Sequence, residues 1–208
     1  MLSAAEALRR LRAGNRRYAS NASTSRDVRD DTRRTELIER QEPFAIVLGC
    51  SDSRVPAEIV FDQGLGDLFV IRVAGNIVAP SQIGSVEFAA GRFGTRLVVV
   101  LGHSGCGAVV ATLEDLQGSP RADSPNLASI VNRVRPAVES LLEGSTTLDP
   151  RRLLSLAVRA NIRASANQLR HGSRLIEQLI QENGLLVIGA EYSLDTGIVE
   201  FFEGSAAS

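Results

Sequence analysis

The chain has 208 residues, 44% of them hydrophobic and 4% aromatic, which suffices for one sizeable core and is too short for two comfortable domains. A formal net charge of -1 gives no electrostatic reason to expect DNA, RNA or an anionic membrane surface as partner, so small molecules are the better expectation. Every basic side chain is arginine, a bias that reads as compositional rather than functional. No apolar stretch approaches the roughly 20 residues needed to span a bilayer. The N-terminus carries Glu6, Arg9 and Arg10 where the apolar core of a signal peptide would lie, so a cytoplasmic protein is expected.

Taken in order, residues 3–13 are predicted helical, with Ser3 and Glu6 spaced as a capping box and Leu8 and Leu11 on one side. Gly14 and Asn15 are expected to end that helix. A short helical piece follows at Arg16–Ser20, then a polar linker at Asn21–Ser25 and another helix within Asp27–Arg40. These helices are Arg-rich and thinly apolar, which suits either packing on a partner subunit or a solvated surface layer.

Phe44–Gly49, Leu68–Val73, Leu97–Leu101 and Leu185–Ala190 are near-continuous apolar runs of strand length, as expected for strands buried on both faces of a parallel sheet. Helices are predicted between them at Pro56–Phe61 and Pro80–Phe93, after Gly107, from Pro125, from Pro150, and over Arg174–Glu182. Pro136 is expected to kink or split the one that begins at Pro125. Asp195-Thr196-Gly197 turns the chain into Ile198–Phe202, predicted to be an antiparallel last strand. The fold class is therefore α/β, a mainly parallel central sheet of about four parallel strands plus the C-terminal antiparallel strand, flanked by helices. It reads as a single domain over residues 1–208, with an N-terminal helical arm at 1–41 and an α/β core at 42–208.

Two clusters fall at the carboxyl ends of predicted strands, where ligands bind in open α/β sheets. Cys50-Ser51-Asp52-Ser53-Arg54 follows the first run and His103-Ser104-Gly105-Cys106-Gly107 follows the third. Both cysteines of the chain lie in these clusters, which favours metal ligation over a disulfide. If the two strands are neighbours, the Cys50 and Cys106 thiols, the His103 imidazole and the Asp52 carboxylate converge, a set that zinc accepts tetrahedrally. Asp52 then has two readings. As fourth ligand it closes the site; held bidentately by Arg54 it is kept off the metal, leaving a coordination position for water. A purely structural Cys2HisAsp zinc is the alternative, although structural sites rarely use a carboxylate.

The pair Cys50-Ser51-Asp52-Ser53-Arg54-Val55 and His103-Ser104-Gly105-Cys106-Gly107 resembles the β-class carbonic anhydrases. The likeness extends to Asp62–Phe69, to Arg72-Val73-Ala74-Gly75-Asn76 and to the turn from Tyr192 to Gly197. The resemblance implies one Zn2+ per subunit on Cys50, His103 and Cys106, with Asp52 added only in a closed state, and Asp52 with Arg54 as a catalytic dyad. It implies reversible hydration of CO2 to bicarbonate by zinc-bound hydroxide, in a homodimer or homotetramer whose N-terminal helices wrap the neighbouring subunit. The substrate pocket is expected at Gln41, Phe69, Phe88 and Gly107, with Phe88 standing where plant-like members have tyrosine.

Some bacterial members have an inhibitory bicarbonate pocket made of tryptophan, arginine and tyrosine. Here Arg72 and Tyr192 match, but Val47 takes the tryptophan place, so that regulation is not expected. His171 reads as a surface histidine at a helix end. Two other functions remain open: a carbonyl sulfide or carbon disulfide hydrolase on the same scaffold, and a non-catalytic zinc-stabilised sensing domain.

Overall fold

The computed structural model describes residues 2–23, 31–118, 124–143 and 149–202. Its strands are β1 (Ala45–Gly49), β2 (Leu68–Arg72), β3 (Leu97–His103), β4 (Leu186–Tyr192) and β5 (Val199–Phe202). They form one sheet in the order β2-β1-β3-β4-β5, parallel except for the antiparallel β4–β5 pair. The expected α/β fold with four parallel strands and an antiparallel last one is the fold observed. Its helices are α1 (Ala4–Ala19), α2 (Asp31–Glu36), α3 (Ala57–Val60), α4 (Pro80–Arg92), α5 (Gly107–Leu116), α6 (Pro125–Glu143), α7 (Pro150–His171) and α8 (Arg174–Asn183).

The uninterrupted apolar runs become strands because both faces of the sheet are covered, so neither set of alternate side chains meets water. Ile46, Leu48, Val98, Val100 and Val187 face a layer built by α4 to α8, where they meet Val86, Val109, Val134, Ile162 and Ile176. Ala45, Val47, Val99, Leu101 and Ile188 face the other way, onto Ala7 and Leu11 of α1 and Val60 of α3. The alternation of β1 continues one step past the strand: Cys50 follows Ile46 and Leu48 onto the thicker helical side.

The first helix departs from expectation. It begins at the predicted Ser3–Glu6 capping box, but it does not stop at Gly14 and Asn15, and the separate piece at Arg16–Ser20 is its continuation to Ala19. The breakers have been put to tertiary use. A Cβ on Gly14 would lie 1.8 Å from the Phe61 carbonyl oxygen, so glycine is what lets α1 approach the end of α3. The buried Asn15 amide donates to the carbonyls of Val60 (3.1 Å) and Gly197 (2.9 Å), and its oxygen accepts from Val199 N–H (2.8 Å). Arg17 pairs with the buried carboxylate of Asp62 at 2.5 Å. Within the chain α1 thus packs on the sheet, and fully burying Leu11 contributes about 1.5–3 kcal/mol.

Part of the predicted linker at Asn21–Ser25, and the first residues of the helix expected within Asp27–Arg40, lie outside the described residues; α2 is the portion described. The helix from Pro125 is not split: α6 carries Pro136 in its interior, with Val134 and Val138 fully buried on either side of it. Asp149 caps α7 by accepting from the N–H groups of Arg151 and Arg152, both at 3.1 Å. Asn15→Ala leaves three backbone groups without their side-chain partner, so unfolding in denaturant should show a loss of about 2–4 kcal/mol, against under about 0.5 kcal/mol for the exposed Arg9→Ala.

Candidate metal centre

β1 and β3 are hydrogen-bonded neighbours, with Gly49 opposite Leu101. The condition for convergence is therefore met: Cys50 leaves β1 beside the last residues of β3, where His103 stands. The chain then turns through Gly105 and reaches Cys106, the N-cap of α5. One sulfur, one imidazole nitrogen and a second sulfur, from Cys50, His103 and Cys106, lie within 4.8 Å of one another. All three residues are buried, at 5%, 0% and 1% exposure.

The surroundings orient each donor. His103 Nδ1 lies 3.0 Å from the Ser104 carbonyl oxygen, so Nδ1 carries the proton and the lone pair is on Nε2. Ser104 is held in turn, its N–H donating to the Tyr192 carbonyl (3.0 Å) and its hydroxyl oxygen accepting from Leu194 N–H (2.9 Å). His103 Nε2 is buried without a hydrogen-bond partner among the described residues, a costly state for an imidazole nitrogen unless a cation accepts its lone pair. Cys106 is placed by its position as the N-cap of α5. Cys50 receives the Gly75 N–H at 3.4 Å.

The two thiols are shifted in opposite directions. Cys50 is pulled down chiefly by a hydrogen bond from Cys106, whose own thiol is pushed up by giving it. Burial works against a charged His103, yet the neighbouring Cys50 sulfur raises it overall. Two sulfurs and a nitrogen brought this close, with the Nε2 lone pair unsatisfied among the described residues, fit a tetrahedral metal such as zinc with one coordination position left over.

Asp52 stands at the edge of this triangle. Its Oδ2 is 3.8 Å from His103 Nε2, while Arg54 grips the carboxylate bidentately, Nε to Oδ1 at 2.9 Å and Nη2 to Oδ2 at 2.7 Å, and the Arg54 N–H also donates to Oδ1 at 3.0 Å. This clamp holds the Asp52 carboxyl well below the usual carboxylate range. The loop carrying both residues is tied down by Arg72, whose Nε donates to the Cys50 carbonyl (3.0 Å) and Nη2 to the Asp52 carbonyl (2.6 Å).

The remaining expected site residues are divided: Gly107 adjoins a donor and Phe69 packs on the core cluster that holds both cysteines, whereas Gln41 lies far from them. Gln41 is exposed at the amino end of β1, in an open groove with Arg10, Phe44 and Thr95, at the opposite end of the sheet from Cys50. Phe69 and the half-exposed Phe88 are together, ring centroids 6.2 Å apart, with Phe93 completing an aromatic trio beside edge strand β2. Phe69 pairs with Ile46, four residues before Cys50. Gly107 is the first residue of α5 and exposed, directly after Cys106.

Of the residues that match the inhibitory bicarbonate pocket, Val47 is fully buried in β1 and Arg72 is occupied by the two carbonyls. The Tyr192 hydroxyl lies 3.1 Å from that of Tyr18. Burial first, and that contact second, push Tyr192 up to about 12. His171 is exposed at the end of α7, 3.4 Å from Glu177.

Sequence reasoning did not find the supporting roles of Ser104, Arg72 and Gly75. The pairing of Gly49 with Arg72 across β1 and β2 is what brings that arginine to the Cys50 loop, and only the register reveals it.

The family model for carbonic anhydrase matches residues 45–199. A carbonic anhydrase of Mycolicibacterium smegmatis is 40% identical over 168 residues, covering 81% of this chain and 79% of the relative. Carbonic anhydrase 2 of Mycobacterium tuberculosis is 35% identical over 190 residues, covering 90% and 87%. Among solved structures, a tetrameric β-carbonic anhydrase of Sordaria macrospora superposes with a TM-score of 0.72 at 24% identity, covering 92% of this chain and 94% of that one. With the matched segment running from β1 into β5 and carrying all three candidate donors, the chain belongs to the carbonic anhydrase family, in its β class.

Proposed function

We propose that the chain catalyses the reversible hydration of CO2 to bicarbonate and a proton, with one Zn2+ per subunit held by Cys50, His103 and Cys106. The convergence of those three buried donors, with His103 Nε2 otherwise unsatisfied, is the observation that carries this reading. When bound, zinc supplies Lewis-acid activation of water for attack on the carbon of CO2.

The chain's own residues do the rest. Ionised Asp52 is an acceptor only, so it takes a hydrogen bond from the attacking water and turns a lone pair of that water towards the carbon. Arg54 holds Asp52 in that orientation and away from the metal, the arrangement that keeps a position open for water. Attack forms one C–O bond while a C=O π pair of CO2 moves onto its oxygen, an O–H bond of the water gives up its proton to solvent, and the product leaves as bicarbonate. With both histidines accounted for, one as ligand and one exposed on a helix end, buffer is the expected proton acceptor.

A linear, weakly polar substrate needs an apolar wall. Phe69, Phe88 and Gln41 are kept as that wall and its amide donor, and Gly107 as the backbone at the site's mouth. The exposure of Phe88 and Gln41 on one chain supports a homo-oligomer, dimer or tetramer, in which a second subunit completes the pocket. No described helix is long and apolar enough to cross a membrane, and we infer a cytoplasmic enzyme of one domain.

CO2 hydration by the zinc-loaded chain, followed by stopped flow beside carbonyl sulfide hydrolysis, tests the reading. Rapid hydration and slow carbonyl sulfide turnover are expected; the reverse ranking makes the protein a hydrolase, and zinc without either activity makes it a sensing or structural domain. Asp52→Asn should retain stoichiometric zinc while turnover falls about 100-fold or more, the range of a lost proton-handling group. Cys106→Ser should lose zinc, measured by metal analysis after gel filtration; zinc retained by Cys106→Ser and lost from Asp52→Asn would reverse the two roles.

A further inference from the structure

Asn161 is 2% exposed on α7, among Ala157, Val158 and Ile162. An amide buried on an apolar helix face is costly unless its hydrogen bonds are used. Its Nδ2 donates to the Gly75 carbonyl at 2.8 Å, and the Gly75 N–H donates to Cys50 Sγ at 3.4 Å. We propose that Asn161 is a positioning residue for the metal centre: by holding the Gly75 carbonyl it aims the Gly75 N–H at Cys50 Sγ and so limits the charge that this thiolate gives to its metal. The inference rests on Cys50 being a zinc ligand.

Gly75 is the weak point of the arrangement. It sits in a single-turn 3-10 helix (Ala74–Asn76) with φ 69° and ψ 18°, in the left-handed region. A Cβ there would stand 2.9 Å from Ala108 Cβ at the start of α5, so the close approach demands glycine. Glycine is also the residue whose φ and ψ are least restrained by its own structure. The peptide that bears the Gly75 carbonyl is held at its other end by Asn76 N–H to the Val73 carbonyl (3.0 Å). The Gly75 carbonyl is fixed by Asn161.

The N–H and C=O of Gly75 belong to different peptide planes, so the coupling is geometric: pinning the carbonyl sets ψ, and the plane bearing the N–H keeps its aim at sulfur. α7 is a firm anchor, since the Ile162 side chain fills the space that a Cβ on Gly102 would occupy, with Cδ1 2.5 Å from that position. An N–H bond to a thiolate draws charge off the sulfur and leaves the metal more electrophilic. That matters here because two thiolates otherwise offset the charge of the dication.

The test uses Asn161→Leu, which keeps size and branching but cannot donate. Cobalt(II) is titrated into the metal-stripped full chain, and the thiolate-to-cobalt charge-transfer absorption is read together with zinc competition against a chromophoric chelator. Without its N–H the sulfur lone pair ionises more easily, so the band should move to longer wavelength; the sulfur also becomes more basic and holds a proton more tightly against the metal, so apparent zinc affinity at neutral pH should fall about 10-fold or more. Asn161→Ala, whose vacated space admits a water able to donate to the same carbonyl, should move both readouts in the same direction by less. If Asn161→Leu does not fold, Asn161→Ala decides alone. A lowered melting temperature with the parent's absorption band and parent zinc affinity would make Asn161 a packing residue and overturn the proposal. A parent chain that binds neither cobalt nor zinc would instead overturn the ligand assignment on which it rests.

Discussion

The parallel pairing of β1 with β3 is the constraint on which the rest depends. Cys50 and His103 are 53 positions apart in the chain, and only that register, Gly49 opposite Leu101, sets their backbones side by side at one end of the sheet. Parallel neighbours require a crossover. Here it is made by α3, β2 and α4, and it delivers both Arg72, which ties down the Cys50 loop, and Gly75, which faces its sulfur. The end of the sheet that carries the candidate donors is thus assembled by topology.

The chemistry divides at a boundary of burial. Inside are two buried thiols and an imidazole nitrogen with no hydrogen-bond partner among the described residues, an arrangement that is unfavourable until a cation takes that lone pair. Outside, Asp52 and Arg54 form a bidentate pair at the mouth. An exposed ion pair contributes little stability; in the proposed function its part is orientation. The Arg54 clamp keeps Asp52 ionised and turned towards the ligand triangle without joining it.

Much of this was legible in the sequence. Strands buried on both faces carry unbroken apolar runs, and both cysteines stand immediately after or just beyond such runs, so sheet and ligand set could be read together. Other features were hidden because residue type speaks for local preference while tertiary contact decides. Gly14 and Asn15 are helix breakers in isolation, but one permits the approach of Phe61 and the other satisfies three backbone groups, so α1 continues. Pro136 stays inside α6 because the residues around it are anchored in the core. Arg72 and Asn161 act through contacts with residues 22 and 86 positions away, and no spacing rule signals them. Gln41 and Phe88 were legible only through family resemblance, and one chain leaves them on its surface.

The central claim is that the three donors hold a zinc with one position left for a small oxygen ligand. X-ray absorption at the zinc edge of the loaded chain addresses it directly. The spectrum should fit two sulfurs at about 2.3 Å, one imidazole nitrogen at about 2.0–2.1 Å and one further oxygen or nitrogen. A first shell with fewer than two sulfurs, or with six light atoms, would contradict the account.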